Sequence, residues 1–147
     1  MQFVFPTSGI RRYQFPTHIN DLVLDRADAA TSEVFFVVIG PGKAPPLHKH
    51  DDMEQIFYVL KGAGILSISG KRKKYPVKAG DVVRIPPRAL HSIQCAGKYP
   101  LVYLAIDCFL AGRPKSEPTW DAHARAICKQ NGWDYAVCVK GRKKRPI

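Results

Sequence analysis

A chain of 147 residues can bury one core and is short for two, so a single domain over residues 1–147 is expected. Its 46% apolar content is that of a globular protein in water; no run approaches the roughly 18 apolar residues of a membrane span, and residues 1–6 lack the charged start and apolar stretch of a secretory signal, which points to the cytoplasm. The formal charge of +11 gathers in residues 71–74 and 140–145, a turn and a tail without interleaved aromatic residues, so specific nucleic-acid binding is not expected.

Along residues 1–20, Phe3, Phe5, Tyr13 and Phe15 suit edge strands punctuated by Pro6 and Pro16, a segment placed for dimer contact. His18 has no partner at ligand spacing and reads as structural or exposed. Residues 21–26 and 33–39 read as strands, the second rich in Phe and Val and closed by the turn Gly40-Pro41-Gly42.

The next block holds the densest chemistry. His48 and His50 lie one residue apart, so in an extended chain both imidazoles share a face. A third donor arrives at Glu54 or Gln55, at the head of the strand-like run 56–60. Residues 64–69 and 74–77 form a hairpin around the basic tip, residues 78–81 turn, and residues 82–85 lead into the rigid Pro86-Pro87 and then His91. Imidazole is the commonest protein ligand of transition metals, so three histidines on paired strands make a candidate site for one divalent ion. Strands at 91–95 and 100–109 follow, with a turn near Lys98.

These two blocks resemble the paired motifs of the cupin superfamily. The resemblance covers roughly residues 34–112 and implies an all-β fold, a double-stranded β-helix or jelly-roll barrel with a metal near its centre and a core over about residues 21–112. In that family the ligating carboxylate lies seven residues before the closing glycine; seven before Gly62 stands Gln55, with Glu54 one place too early, so the implied fourth ligand is an amide. A glycine common in the second motif is replaced here by Arg88.

Asp107 and Phe109 share one face at the end of the last barrel strand, with Arg113 just beyond it. An Asp at a metal-containing mouth can move a proton, and an Arg can grip a carboxylate. Glu54-Gln55, the run 80–87 and Asp107-x-Phe109-x-x-x-Arg113 resemble the small cupins that linearise unsaturated monouronates from pectin and alginate. That resemblance implies His48, His50, Gln55 and His91 as ligands of zinc, nickel, manganese or iron, Asp107 for proton transfer, Phe109 as a pocket wall and Arg113 as a carboxylate clamp. It also implies a small anionic substrate and a homodimer. Three other functions use the same barrel: a polyketide cyclase, with Phe57, Tyr58, Tyr103 and Phe109 lining a larger pocket; a dioxygenase, with Glu54 on iron; and a binding module without catalysis.

Beyond residue 112 the composition changes. Residues 113–118 read as a linker, Thr119 caps a helix ending near Asn131-Gly132, and Trp120, Ala124 and Ile127 give it one apolar face for the barrel. Residues 133–139 alternate like a short strand, making the C-terminal extension 113–147 a helix and a strand. The cysteines, Cys95, Cys108, Cys128 and Cys138, show no CxxC spacing and read as reduced thiols in apolar segments.

Overall fold

Alternation decides which residues of each strand face inward, and the inward sets build the site. The computed structural model describes residues 1–69 and 73–143, the last five by their backbone alone. Lys71, Arg72, Lys144 and Arg145, and the side chains of Lys140, Arg142 and Lys143, hold much of the expected basic tip and tail; they lie outside the described residues. Strands run at Ile10–Gln14 (β1), Ile19–Leu24 (β2), Ser32–Ile39 (β3), Met53–Lys61 (β4), Ala63–Ile68 (β5), Lys73–Lys78 (β6), Val82–Ile85 (β7), His91–Cys95 (β8), Leu101–Phe109 (β9) and Val139–Lys143 (β10), with helices at Trp120–Asn131 (α1) and Tyr135–Cys138 (α2). Every described pairing is antiparallel. One sheet has the order β10-β1-β2-β3-β9-β4-β7 and the other β6-β5-β8, together the two walls of a jelly roll.

In the larger sheet Glu33 sits opposite Asp107, and Asp107 opposite Gln55, so three polar side chains lie in one inward row across β3, β9 and β4. The adjoining row is apolar: Phe35, Ala105, Phe57 and Val83. The register therefore confines the polar groups to one end of the barrel and leaves the rest to pack as core.

Gly62, which links β4 to β5, has φ +79°, and a Cβ there would collide with the Pro100 carbonyl. Gly62→Ala should destabilise the fold by about 1–3 kcal/mol from the left-handed backbone alone, with the collision adding to it. Urea denaturation checks this, and unchanged stability would contradict the placement of that turn.

Two expectations shift. The strand placed at 21–26 ends at Leu24, because the Asp25 carboxylate accepts from the Ala27 N–H and caps a 3-10 turn, Arg26–Asp28, that carries Arg26 inward. Residues 133–139 do not form a strand: the Asp134 carbonyl accepts from the Val137 and Cys138 N–H groups, closing the short helix α2, and the terminal strand begins at Val139. Helix α1 matches its expected cap, with Thr119 Oγ1 accepting from the Ala122 N–H at 3.1 Å, and buries Trp120, Ala124 and Cys128. All four cysteines are free thiols. No helix among the described residues is long and apolar enough to cross a membrane.

Candidate metal centre

His48 and His91 exchange both backbone hydrogen bonds, 3.1 and 2.8 Å, in an isolated antiparallel bridge, so they stand directly opposite each other. His50 follows two residues after His48, and its carbonyl accepts from the N–H of Arg88 at 2.7 Å. Arg88 makes that bond from φ +65°, so the backbone keeps the left-handed turn that a glycine would adopt there. One ring nitrogen from each of the three histidines falls within 4.8 Å of the others.

Two rings have a fixed tautomer. His48 Nδ1 lies 2.7 Å from the Pro46 carbonyl and His91 Nδ1 2.9 Å from the Ala89 carbonyl; a carbonyl only accepts, so each Nδ1 carries the hydrogen and each Nε2 presents a lone pair. Among the described residues His91 Nε2 is buried with no hydrogen-bond partner. Gln55 lines the same cavity: its Nε2 donates to Asp107 Oδ1 at 2.8 Å, which leaves Oε1 buried without a partner among the described residues. Glu54, on the opposite face of β4, is held outside by Arg84, with Nε and Nη2 at 2.8 and 2.7 Å from its Oε2. Orphaned acceptors of this kind are what a hard or borderline cation satisfies, so the neutral donors present here fit a divalent transition ion.

Burial first, then the neighbouring rings, push His50 down to about 2 and His91 down to about 4. Burial likewise lowers His48 and pushes His18 down to about 3. An unfolded imidazole titrates near 6.5, so below that pH the unfolded chain binds protons that these folded rings refuse, and stability is lost as pH falls from about 6.5 through the folded values. Asp107 acts oppositely, since burial and then the hydrogen bond and charge of Glu33 raise its carboxyl well above the usual range. It is one group against four. The metal-free protein in chelator should melt several degrees lower at pH 5 than at pH 7.5; an equal or higher melting temperature at pH 5 would contradict the neutral-ring arrangement.

The cavity measures about 560 Å³. Of the expected pocket residues, Phe57 and Tyr103 line it, their rings 4.6 Å apart. Tyr58 does not, because alternation turns it outward, where it is 46% exposed. Phe109 is buried beneath the Arg26 guanidinium, 5.0 Å from the ring centroid, and forms no part of the wall. Asp107 lines the cavity behind Gln55. Arg113 does not reach it: after Phe109 the chain turns through Gly112 at φ +79°, and Arg113 Nη1 donates to the Ala27 carbonyl at 2.8 Å beside a separate, shallow depression.

The buried cation of the site is Arg26. It grips Glu33 bidentately, Nε at 2.6 Å and Nη2 at 2.8 Å, with Arg26 1% and Glu33 0% exposed, and its Nη1 donates to the Glu117 carbonyl. Glu117 Oε2 in turn accepts from His123 Nδ1 at 2.6 Å. Sequence reasoning missed Arg26, Glu33, Glu117 and His123, which come from a turn, a strand, a linker and a helix with no shared spacing.

A family model described as the cupin domain matches residues 35–107, which run from the core of β3 to Asp107 and include all three histidines. The chain belongs to the cupin superfamily. Among its relatives is the oxalate-binding protein of Thermotoga maritima, 39% identical over 66 residues, 45% of this chain and 53% of that protein. This cupin spans about half the length of the curated relatives it matches first. Among solved structures it is similar to a predicted oxalate decarboxylase from Thermotoga maritima, with TM-score 0.65 and 27% identity over 74% of this chain and 100% of that one. KdgF from Halomonas sp. shares the fold, with TM-score 0.55 and 21% identity over 64% and 82% of the two chains.

Proposed function

We propose that this cupin is a metal-dependent isomerase or lyase acting on a small oxygenated anion, with an unsaturated monouronate or related sugar acid as the first candidate. In this reading His48, His50, His91 and Gln55 hold one divalent transition ion, zinc, nickel, manganese or iron. The observation that carries it is the division of labour on β4, with Gln55 inside facing Asp107 and Glu54 outside on Arg84. Three imidazoles and an amide add no negative charge, so the bound ion would keep its full charge, attract an anionic oxygen and polarise it as a Lewis acid.

The chain's own groups supply the rest. Phe57 and Tyr103 wall the cavity and exclude water from the bound molecule, while Asp107, its carboxyl raised by burial and by Glu33, accepts from the Gln55 amide and so leaves Oε1 free to serve as the fourth ligand. A dioxygenase would need Glu54 as a ligand, and its pairing with Arg84 speaks against that. A second reading, a binding module for a small dicarboxylate, draws support from the oxalate-binding relative. A homodimer belongs to the proposal on the strength of the exposed Met1, Phe3 and Val4.

The test is turnover of unsaturated monouronates by wild type and by Gln55→Glu, with metal content measured in both. The loaded wild type should turn over. The variant should keep the ion and lose about tenfold or more in kcat, because an added carboxylate weakens the pull on the substrate. Inert uronates with fully loaded protein would remove the substrate class. Unchanged turnover in Gln55→Glu, with metal lost from Glu54→Ala, would remove Gln55 as ligand.

A further inference from the structure

Helix α1 lies outside the residues that match the cupin model, yet it supplies a titratable side chain to the cavity wall. His123 lines the cavity one turn into α1, 15% exposed, with its ring edge against Trp120 at a centroid distance of 5.4 Å. Its Nδ1 lies 2.6 Å from Glu117 Oε2. A carboxylate accepts, so Nδ1 carries the hydrogen and Nε2 is the free nitrogen, with no hydrogen bond among the described residues. Glu117 is itself fixed: Arg26 donates to its carbonyl at 3.1 Å and lies 3.6 Å from its carboxylate. The His123 hydrogen bond, with the Arg26 charge beside it, holds the Glu117 carboxyl below its ordinary range, so it stays an anion at neutral pH. His123 lines the same cavity as His48 and His50.

A ring that lines the cavity of the donor cluster, held in one tautomer by a fixed carboxylate and with its other nitrogen unbonded, is the arrangement of a general base. We infer that Glu117 and His123 are a proton-transfer pair for the molecule bound at the histidine cluster, His123 Nε2 exchanging the proton and Glu117 orienting the ring. Asp107 is the poorer base, since it is already engaged by Gln55 and Glu33. The reaction served rests on the proposed function; the pair itself does not. With a cyclic unsaturated uronate, Nε2 takes the proton of the anomeric hydroxyl, and the O–H electron pair becomes the carbonyl double bond as the ring C–O bond breaks. The departing oxygen leaves as an enolate, whose carbon takes the proton back from the imidazolium. One proton leaves and one returns, so no oxidant is needed.

The experiment uses the full chain. His123→Ala should keep its metal by elemental analysis, lose a hundredfold or more in uronate turnover followed by NMR in D2O, and regain part of it with added imidazole. Glu117→Gln should keep its metal and move the acid limb of the pH–rate profile to lower pH. The other charged or titratable groups around the ring, Arg26, His48 and His50, remain in place in that variant. Normal turnover by metal-loaded His123→Ala overturns the inference. If loaded wild type turns over no uronate, the proposed function fails and the pair is read separately from 15N-histidine NMR of zinc-loaded protein with oxalate as probe. An Nδ1–H tautomer at His123 whose Nε2 resonance shifts saturably with oxalate supports the pair. An Nε2–H tautomer, or a resonance indifferent to oxalate, overturns it.

Discussion

His48→Ala, His50→Ala and His91→Ala should each abolish stoichiometric metal binding. A site made of neutral donors has no carboxylate attraction to compensate for a lost ligand, and the remaining donors compete poorly with chelators or water. The variants should differ in fold. His91 is 2% exposed and opposes Ile68 at the end of β8, so His91→Ala also leaves a cavity beside the core, whereas the half-buried His48 and His50 sit on a loop. Elemental analysis after dialysis against chelator reads the first effect and thermal melting the second. Full occupancy in any of the three would show that its ring is not a ligand.

Arg26→Ala should destabilise the protein by about 3–5 kcal/mol, a large part of the 5–15 kcal/mol of a typical domain. The loss does not measure what the ion pair contributes. It arises because removal of the guanidinium strands the Glu33 carboxylate, 0% exposed, in a row with Asp107, whose carboxyl burial and Glu33 already raise. Stacking on Phe109 and the bond to the Glu117 carbonyl go with it. Arg12→Ala provides the contrast: it also pairs bidentately with a fully buried carboxylate, Asp21, yet Arg12 is 30% exposed and water can reach the gap. Urea denaturation of the two variants checks the order, and Arg12→Ala matching or exceeding Arg26→Ala would contradict it.

Apolar runs of strand length made the barrel legible in the sequence. Strands such as 56–60 and 100–109 announce themselves as near-continuous apolar runs, and the HxH pair fixes two rings on one face whatever the details of the loop. Alternation also separates Phe57 from Tyr58 and Gln55 from Glu54, although only the register of β4 against β9 says which of each pair is inside. The C-terminal segment misled because Trp133 and Tyr135 alternate as a strand would, while the Asp134 carbonyl closes a helical turn over them. Arg113 misled because its spacing from Asp107 ignores the turn at Gly112. The polar chain Arg26, Glu33, Glu117 and His123 was hidden because tertiary packing alone brings together residues as many as 97 positions apart.

The proposed donor set is neutral, three imidazoles and the Gln55 amide. A crystal structure of the protein grown with zinc, with anomalous data collected at the zinc edge, tests it most directly. The expected result is a single zinc peak bound by the Nε2 atoms of His48 and His91, a ring nitrogen of His50 and Oε1 of Gln55, with Glu54 still paired to Arg84. Zinc bound through the Glu54 carboxylate with Gln55 turned away, or no zinc at the three histidines, would contradict it.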